Sequence, residues 1–350
     1  MPARLIAAVA LLSLPACATT QAGTGTVTDS ESASASGTEA DTDSDSGSDS
    51  FRLAFGSCHE SGDAPGLWDQ IVSSKPDVWA WLGDNIYADT EDMDEMAALY
   101  AELRRMPGYA ALRERGVRIV GTWDDHDFGH NDAGKEYPMR AQAQQQLLDF
   151  LGEPPDSPRR HQQGVYASYD FGQGDRRVRL ILLDTRYHRD PPGQDADVLG
   201  AAQWQWLHDQ LHGSPAAVNI IASSVQLVPD EHRFEKWANF PRARERLLSL
   251  IAESGARNVL VISGDRHFAE LSVLRDPPLS EPLYELTSSS LSRPWDHPPD
   301  EPNCHRLQDT YWHVNFGLLE IDWTAHPPTI TLQILGADGK PHIEKTLPLR

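Results

Sequence analysis

Val117-Arg118-Ile119-Val120-Gly121-Thr122 is a short, β-branched run, and Trp123-Asp124-Asp125-His126-Asp127 follows it directly. A run this short and apolar predicts a strand buried on both faces. Acids and a histidine at its carboxyl end sit on the edge where open α/β sheets bind ligands. The same pattern recurs three times. Residues 51–55 are followed by Gly56-Ser57-Cys58-His59, and residues 78–82 by Gly83-Asp84-Asn85-Ile86-Tyr87. Residues 259–262 are followed by Ser263-Gly264-Asp265-Arg266-His267. One aspartate after a strand is ordinary turn chemistry. Four strand ends carrying Cys, Asp, Tyr and His predict a shared site.

Further apolar runs at 178–183 and 218–222 predict more buried strands. Between the runs, residues 67–74, 93–106, 140–151, 201–211 and 241–254 carry helical patterns. The last begins at Pro241 and stops before Gly255, a sensible start and stop. Alternating stretches at 283–287, 316–322 and 329–335 predict sheet edges or a late hairpin. No internal repeat is visible. The expected architecture is an α/β domain over residues 51–350, its sheets covered by helices.

The first 50 residues differ. Arg4 precedes an apolar stretch, 5–14, too short to span a bilayer. It ends in Leu14-Pro15-Ala16-Cys17, which resembles a bacterial lipobox. Residues 1–17 are therefore expected to be a lipoprotein signal peptide, with Cys17 lipidated and the protein exported and membrane-anchored. An ordinary signal peptide with an incidental cysteine is the alternative. Residues 18–50 are Ser, Thr, Gly, Ala and acid without an aromatic, and are expected to form a disordered acidic tether. The chain carries a formal charge of −22. Such a surface repels nucleic acid, so no nucleic-acid-binding face is expected.

Asp, His, Tyr and Cys together make a mixed oxygen, nitrogen and sulfur donor set. A carboxylate can bridge two cations, and a cation pair can clamp both oxygens of an in-line displacement. Phenolate and thiolate suit Fe³⁺, while carboxylates also suit Ca²⁺ or Mg²⁺. Bound cations would favour an anionic substrate.

At these residues the chain resembles the metallophosphoesterases. Gly83-Asp84-x-x-Tyr87 is similar to the purple acid phosphatase motif in which Asp bridges two metals and Tyr ligates Fe³⁺. Asp125-His126-Asp127 resembles the Gly-Asn-His-Glu block, with Asp125 in place of Asn. Gly264-Asp265-x-His267 resembles the Gly-His-x-His block, with Asp265 in place of the first His. Cys58 stands where the usual first Asp would. These departures, with the runs 123–132, Leu183-Asp184-Thr185-Arg186 and 264–270, resemble the PhoD-like alkaline phosphatases and phosphodiesterases. The resemblance covers roughly residues 51–275.

It implies a four-layer α/β/β/α fold and hydrolysis of phosphate monoesters or diesters, with a metal-bound hydroxide as nucleophile. It implies Fe³⁺ held by Cys58, Asp84, Tyr87 and His267. Ca²⁺ would be held by Asp84, Asp125 and Asp265, with Mn²⁺, Mg²⁺ or Zn²⁺ as alternatives for this second ion. His126 is the expected hydrogen-bond donor or acid near the phosphate, and Arg186 the expected phosphate-gripping residue. Ser223-Ser224-Val225-Gln226 lies where the family's remaining block would fall. The stretches 190–200 and 293–303 are expected cleft walls, and a monomer is expected.

Other readings compete. Cys58 could pair with Cys304, since an oxidising exterior permits the bond. Arg186 could simply pair with Asp184. Gly56-Ser57-Cys58 superficially suggests a serine or cysteine nucleophile, although a Gly-x-Ser-x-Gly elbow is absent. A non-catalytic surface lipoprotein that uses the fold for binding is the functional alternative.

Overall fold

Successive residues of the central strands face opposite ways, and both ways are buried. The computed structural model describes residues 38–39 (backbone only), 48–60, 66–276 and 278–350. The expected signal segment and Cys17 lie outside the described residues. The described residues belong to the unit Ser36–Arg350.

In chain order the elements are β1 Thr38–Glu39, β2 Ser50–Gly56, α1 Leu67–Ser73, β3 Val78–Leu82, α2 Met93–Arg105, α3 Pro107–Glu114, β4 Arg118–Thr122, α4 Asp125–Phe128 and α5 Arg140–Leu151. The second half runs β5 Ala167–Phe171, β6 Val178–Leu182, α6 Gly200–Leu211, β7 Val218–Ser223, α7 Pro241–Glu253, β8 Val259–Ser263, β9 Ala269–Leu274, β10 Leu283–Ser288, β11 Asn315–Asp322, β12 Thr329–Gly336 and β13 Pro341–Pro348. They build a six-stranded sheet, β13-β12-β11-β2-β3-β4, and a seven-stranded sheet, β1-β5-β6-β7-β8-β10-β9. Strands β2, β3 and β4 are parallel, as are β6, β7, β8 and β10.

Three cores give the layer order. Leu53, Phe55, Ala80 and Leu82 meet Leu180, Leu182, Ile220 and Ile262 between the two sheets. The intervening residues Ala54, Trp79 and Trp81 face Leu67, Ile71, Met96 and Leu147 of helices α1, α2 and α5. On the far side, Ile181, Ile221 and Val261 face Leu207, Leu211 and Leu247 of α6 and α7. The result is helix, sheet, sheet, helix, as the resemblance implied. Two-faced burial explains why these strands read as unbroken apolar runs. Truncating Trp81 to Ala would cost about 3–5 kcal/mol in this packing.

Local signals set several helix ends. The Asp92 side chain accepts from the amides of Asp94 and Glu95 at the start of α2, satisfying donors with no partner in the helix. Gly152 ends α5 in the left-handed conformation.

The differences from expectation lie at the margins. Strands β11 and β12 pair antiparallel as the expected late hairpin, but β11 is not a sheet edge and sits between β12 and β2. Strand β1, inside the expected tether, pairs in parallel with β5. Helix α3 and strands β5, β9 and β13 had no apolar run to mark them.

Candidate active site

Four of the singled-out residues share an unusual backbone. Cys58 (φ 57), Asp84 (φ 48), Asp265 (φ 71) and His267 (φ 57) all adopt the left-handed conformation. For residues with a Cβ this costs roughly 1–3 kcal/mol each and persists only where surrounding contacts impose it. Here the contacts are loop on loop. A Cβ on Gly83 would strike Asp124, and one on Gly264 would strike Ser57. The two glycines let the ends of β2, β3, β4 and β8 close on a common point.

That point gathers the expected ligands. Cys58 Sγ donates to Asp84 Oδ2 at 3.5 Å, and Tyr87 Oη donates to the same oxygen at 3.2 Å. His267 Nε2 lies 3.4 Å from Tyr87 Oη. Its Nδ1 is 2.7 Å from the Arg293 carbonyl, which can only accept, so Nδ1 carries the proton and Nε2 the lone pair. That tautomer is the one a metal ligand needs.

Donor atoms of Cys58, Asp84 and His267 lie within 4.8 Å of one another, as do those of Asp84, Asp125 and His126. Asp84 is common to both groups. Asp265 is close enough for its charge to act on Cys58 and to feel Asp125. A third group, Asp125, Asp132 and Glu235, adjoins the second.

Burial governs the electrostatics. It pushes the Cys58 thiol up to about 12, with the Asp265 charge adding to the effect. Burial, then the nearby Cys58 and Asp125, raises Asp84 well above the carboxylate range. Burial raises Asp265 to about 7, raises Tyr87 and lowers His267. Asp125 runs the other way. Burial would raise it, but Arg186, His126 and the Asp132 amide bring it below its ordinary value.

Buried Asp84 Oδ1 and Asp265 Oδ2 have no hydrogen-bond partner. Unpaired buried carboxylate oxygens are costly, and a cation relieves the cost while displacing the protons. The donor set therefore fits a pair of metal ions, with thiol, phenol and imidazole on one side of Asp84 and carboxylates on the other.

His126 stands beside this centre. Its Nδ1 lies 2.8 Å from Asp89 Oδ2 and its ring centroid 4.3 Å from that of Tyr87. A carboxylate acceptor at Nδ1 leaves Nε2 for the site. Asp127 binds the structure behind it, accepting from the amides of Asp84 and Asp124 and from the side chains of Asn85 and Tyr100.

Arg186 is placed differently from expectation. It is fully buried, and its Nη2 lies 2.5 Å from Asp124 and 2.6 Å from Glu235. To Asp184 it offers only its backbone amide, not its guanidinium. A guanidinium held inside by two acids does not reach toward a phosphate arriving from solvent. Ser224 likewise spends its hydroxyl on Asp124. Cys58 and Cys304 are both free, one buried and one exposed, so the disulfide reading fails. Asp89 and Glu235 were not anticipated, and Arg293 was expected only as the first residue of the cleft-wall stretch 293–303. Asp89 lies two residues past Tyr87, but Glu235 had no local signal.

Comparisons with known proteins agree with this fold. Alkaline phosphatase D of Bacillus subtilis is 26% identical over 298 residues, covering 68% of this chain and 48% of that protein. The chain thus spans about half the length of this curated relative. Among solved structures, PhoD superposes with a TM-score of 0.66 at 19% identity, covering 85% of this chain and 68% of that one. A dimetal phosphatase from Danio rerio matches at 0.54 and 14% identity, covering 86% and 99%. GAP50, an anchor in the inner membrane complex of Plasmodium, matches at 0.58 and 16%, covering 86% and 89%. At these identities the structural matches speak for the fold alone. The family model of the PhoD-like phosphatases matches residues 53–316, and the chain belongs to that family.

Proposed function

We propose that this protein hydrolyses phosphate esters, monoesters or diesters, at a two-metal centre bridged by Asp84. The observation that carries the reading is that Asp84 belongs to two donor groups at once and keeps a buried oxygen without a partner. Cys58, Tyr87 and His267 would complete an Fe³⁺ site with Asp84. Asp125 and Asp265 would complete a Ca²⁺ site, where Mn²⁺, Mg²⁺ or Zn²⁺ could substitute. When bound, such a pair activates water and neutralises phosphoryl oxygens.

The chain's own residues would do the rest. Asp89 orients the His126 ring through Nδ1, and His126 Nε2 would donate to the phosphoryl group or leaving oxygen when the imidazole is doubly protonated. The left-handed backbone at four donors holds them in place before any ligand arrives. The chain's likeness to GAP50, named as an anchor, keeps a binding role as the rival, because fold alone does not give function.

One experiment decides between them: metal analysis and a visible spectrum, beside turnover of model monoesters and diesters. Bound Fe³⁺ with a phenolate or thiolate donor is expected to give a charge-transfer band that Tyr87→Phe and Cys58→Ala each shift or remove. Chelator is expected to abolish turnover. Metal-loaded, folded protein with no turnover on either ester class would leave the binding role standing.

The Leu14-Pro15-Ala16-Cys17 sequence supports a second proposal, that the protein is exported and lipid-anchored at Cys17. Protein recovered from cell membranes with an unmodified Cys17 thiol would contradict it.

A further inference from the structure

Residues 291–295 form a strap stitched to two ligand loops. On one side, the Leu291 amide donates to the Ser57 carbonyl at 3.1 Å and the Ser292 amide to the Cys58 carbonyl at 3.3 Å. The Ser292 hydroxyl accepts from the Glu60 amide and donates to the Glu60 carbonyl, both at 2.8 Å. On the other side, the Trp295 amide donates to the His267 carbonyl at 3.1 Å, and its indole to the Arg266 carbonyl at 2.8 Å. Between these anchors stands Arg293, whose carbonyl takes the proton of His267 Nδ1 at 2.7 Å. Pro294 further restricts the backbone of Arg293.

The Arg293 side chain lies at the donor cluster. Its guanidinium carbon is 4.3 Å from the centroid of the Tyr87 ring. The face of an aromatic ring attracts a guanidinium and holds it flat. Its acidic partner is Glu60, with Nε 3.6 Å from Oε2 and the two side chains 42% and 53% exposed. An exposed pair at that separation is weak and exchanges readily. The other arginines nearby are committed. Arg186 and Arg189 are buried against Glu235, and Arg266 is buried against Glu301. Of these four, Arg293 alone reaches solvent beside Tyr87.

We infer that Arg293 is the anion-gripping residue of the site, exchanging Glu60 for the phosphoryl oxygens of substrate and of product phosphate. A guanidinium offers paired donors that match phosphate geometry. The strap and the Tyr87 ring position it in advance. Glu60 acts as an internal anion that phosphate must displace. The inference rests on the phosphoesterase reading and goes beyond it by naming the residue that binds the anion and the one that opposes it.

The test uses metal-loaded full-length protein, a model aryl phosphate ester and inorganic phosphate as competitor. Arg293→Ala is expected to raise KM and the phosphate inhibition constant together by roughly 10- to 100-fold, the scale of a lost charge-assisted hydrogen bond. Turnover at saturation should change less, and metal content should not change. Arg293→Lys should recover part of the loss. Glu60→Gln should move the other way, tightening phosphate a few-fold. Arg293→Ala with unchanged KM and phosphate inhibition would overturn the inference, as would loss of metal in that variant or weaker phosphate binding in Glu60→Gln. If the wild type turned over no ester, the functional reading would fall separately. Calorimetric titration of inorganic phosphate into wild type and Arg293→Ala would still decide this point, equal affinities counting against it.

Discussion

Asp124 and Asp125 are neighbours in the chain, both buried and both under the charge of Arg186, yet their other partners differ. Asp124 joins Glu235, Arg186 and Arg189 in a group where acids face guanidiniums. Burial alone would weaken the Arg186 charge, but Asp124 and Glu235 hold its pKa well above the ordinary value. Asp125 turns instead toward Asp84 and His126. In its set Asp84 and Asp265 are pushed toward protonation by burial, as Asp124 also is, and each keeps a buried oxygen without a hydrogen bond; the guanidinium of Arg266 lies 3.9 Å from Asp265. One set carries its own counter-charge, so it can hold the loops together whatever is bound. The other has less counter-charge of its own, from Arg186 and Arg266, and the proposed cations would supply the rest. The difference is one of partners, not of residue type.

The largest effect that would sharpen this contrast is on turnover. His126→Ala is expected to lower it by roughly 10²- to 10⁴-fold, the range for losing a positioned acid or donor, with thermal stability close to wild type. Asp89→Asn, which disturbs only the orientation of that ring, should lose about 10- to 100-fold, as second-layer partners do. A steady-state comparison of the variants checks both. Equal, small losses would mean that His126 does not act on substrate.

Arg186→Met tests the self-compensated set. Removing one partner of a buried ion pair costs about 3–5 kcal/mol, because the acids left behind lose their counter-charge. A large fall in unfolding midpoint is expected, read by calorimetry on the metal-free protein. A stable variant that had merely lost phosphate affinity would restore Arg186 as the gripping residue and break the contrast.

The smallest effect is a pH dependence. Asp265 is raised to about 7 in the folded protein by burial, against an ordinary carboxylate near 4 when unfolded. The folded state then binds more protons across that window, so metal-free stability should fall as pH rises from about 4 to about 7, by no more than about 1.4 kcal/mol per pH unit. Added metal should flatten the slope. A metal-free protein that gained stability over that window would show the carboxylates to be already compensated.

How much of this was legible in the sequence follows from locality. Strand β3 and helix α5 coincide with the runs that announce them, since both bury a continuous face. The four strand ends that carry the proposed ligands were legible because strand and donor residue are adjacent in the chain. Strand β13 was not: Pro341-His342-Ile343-Glu344-Lys345-Thr346-Leu347-Pro348 is a largely exposed edge with little apolar pattern. Nor was Glu235 legible, and Arg293 was legible only as part of an expected cleft wall, because long-range packing rather than spacing brings them to the site. The role of Arg186 was not legible either. An arginine near an aspartate reads the same whether it grips a ligand or a neighbouring acid.

The central claim is that Asp84 belongs to two cation sites at once. Metal stoichiometry of purified wild type and Asp84→Asn, by elemental mass spectrometry with folding checked by circular dichroism, tests it most directly. Two metals per wild-type chain are expected, with the folded variant losing both together and its turnover falling to background. A folded Asp84→Asn that kept both metals, or lost one while holding the other at full occupancy, would contradict the account.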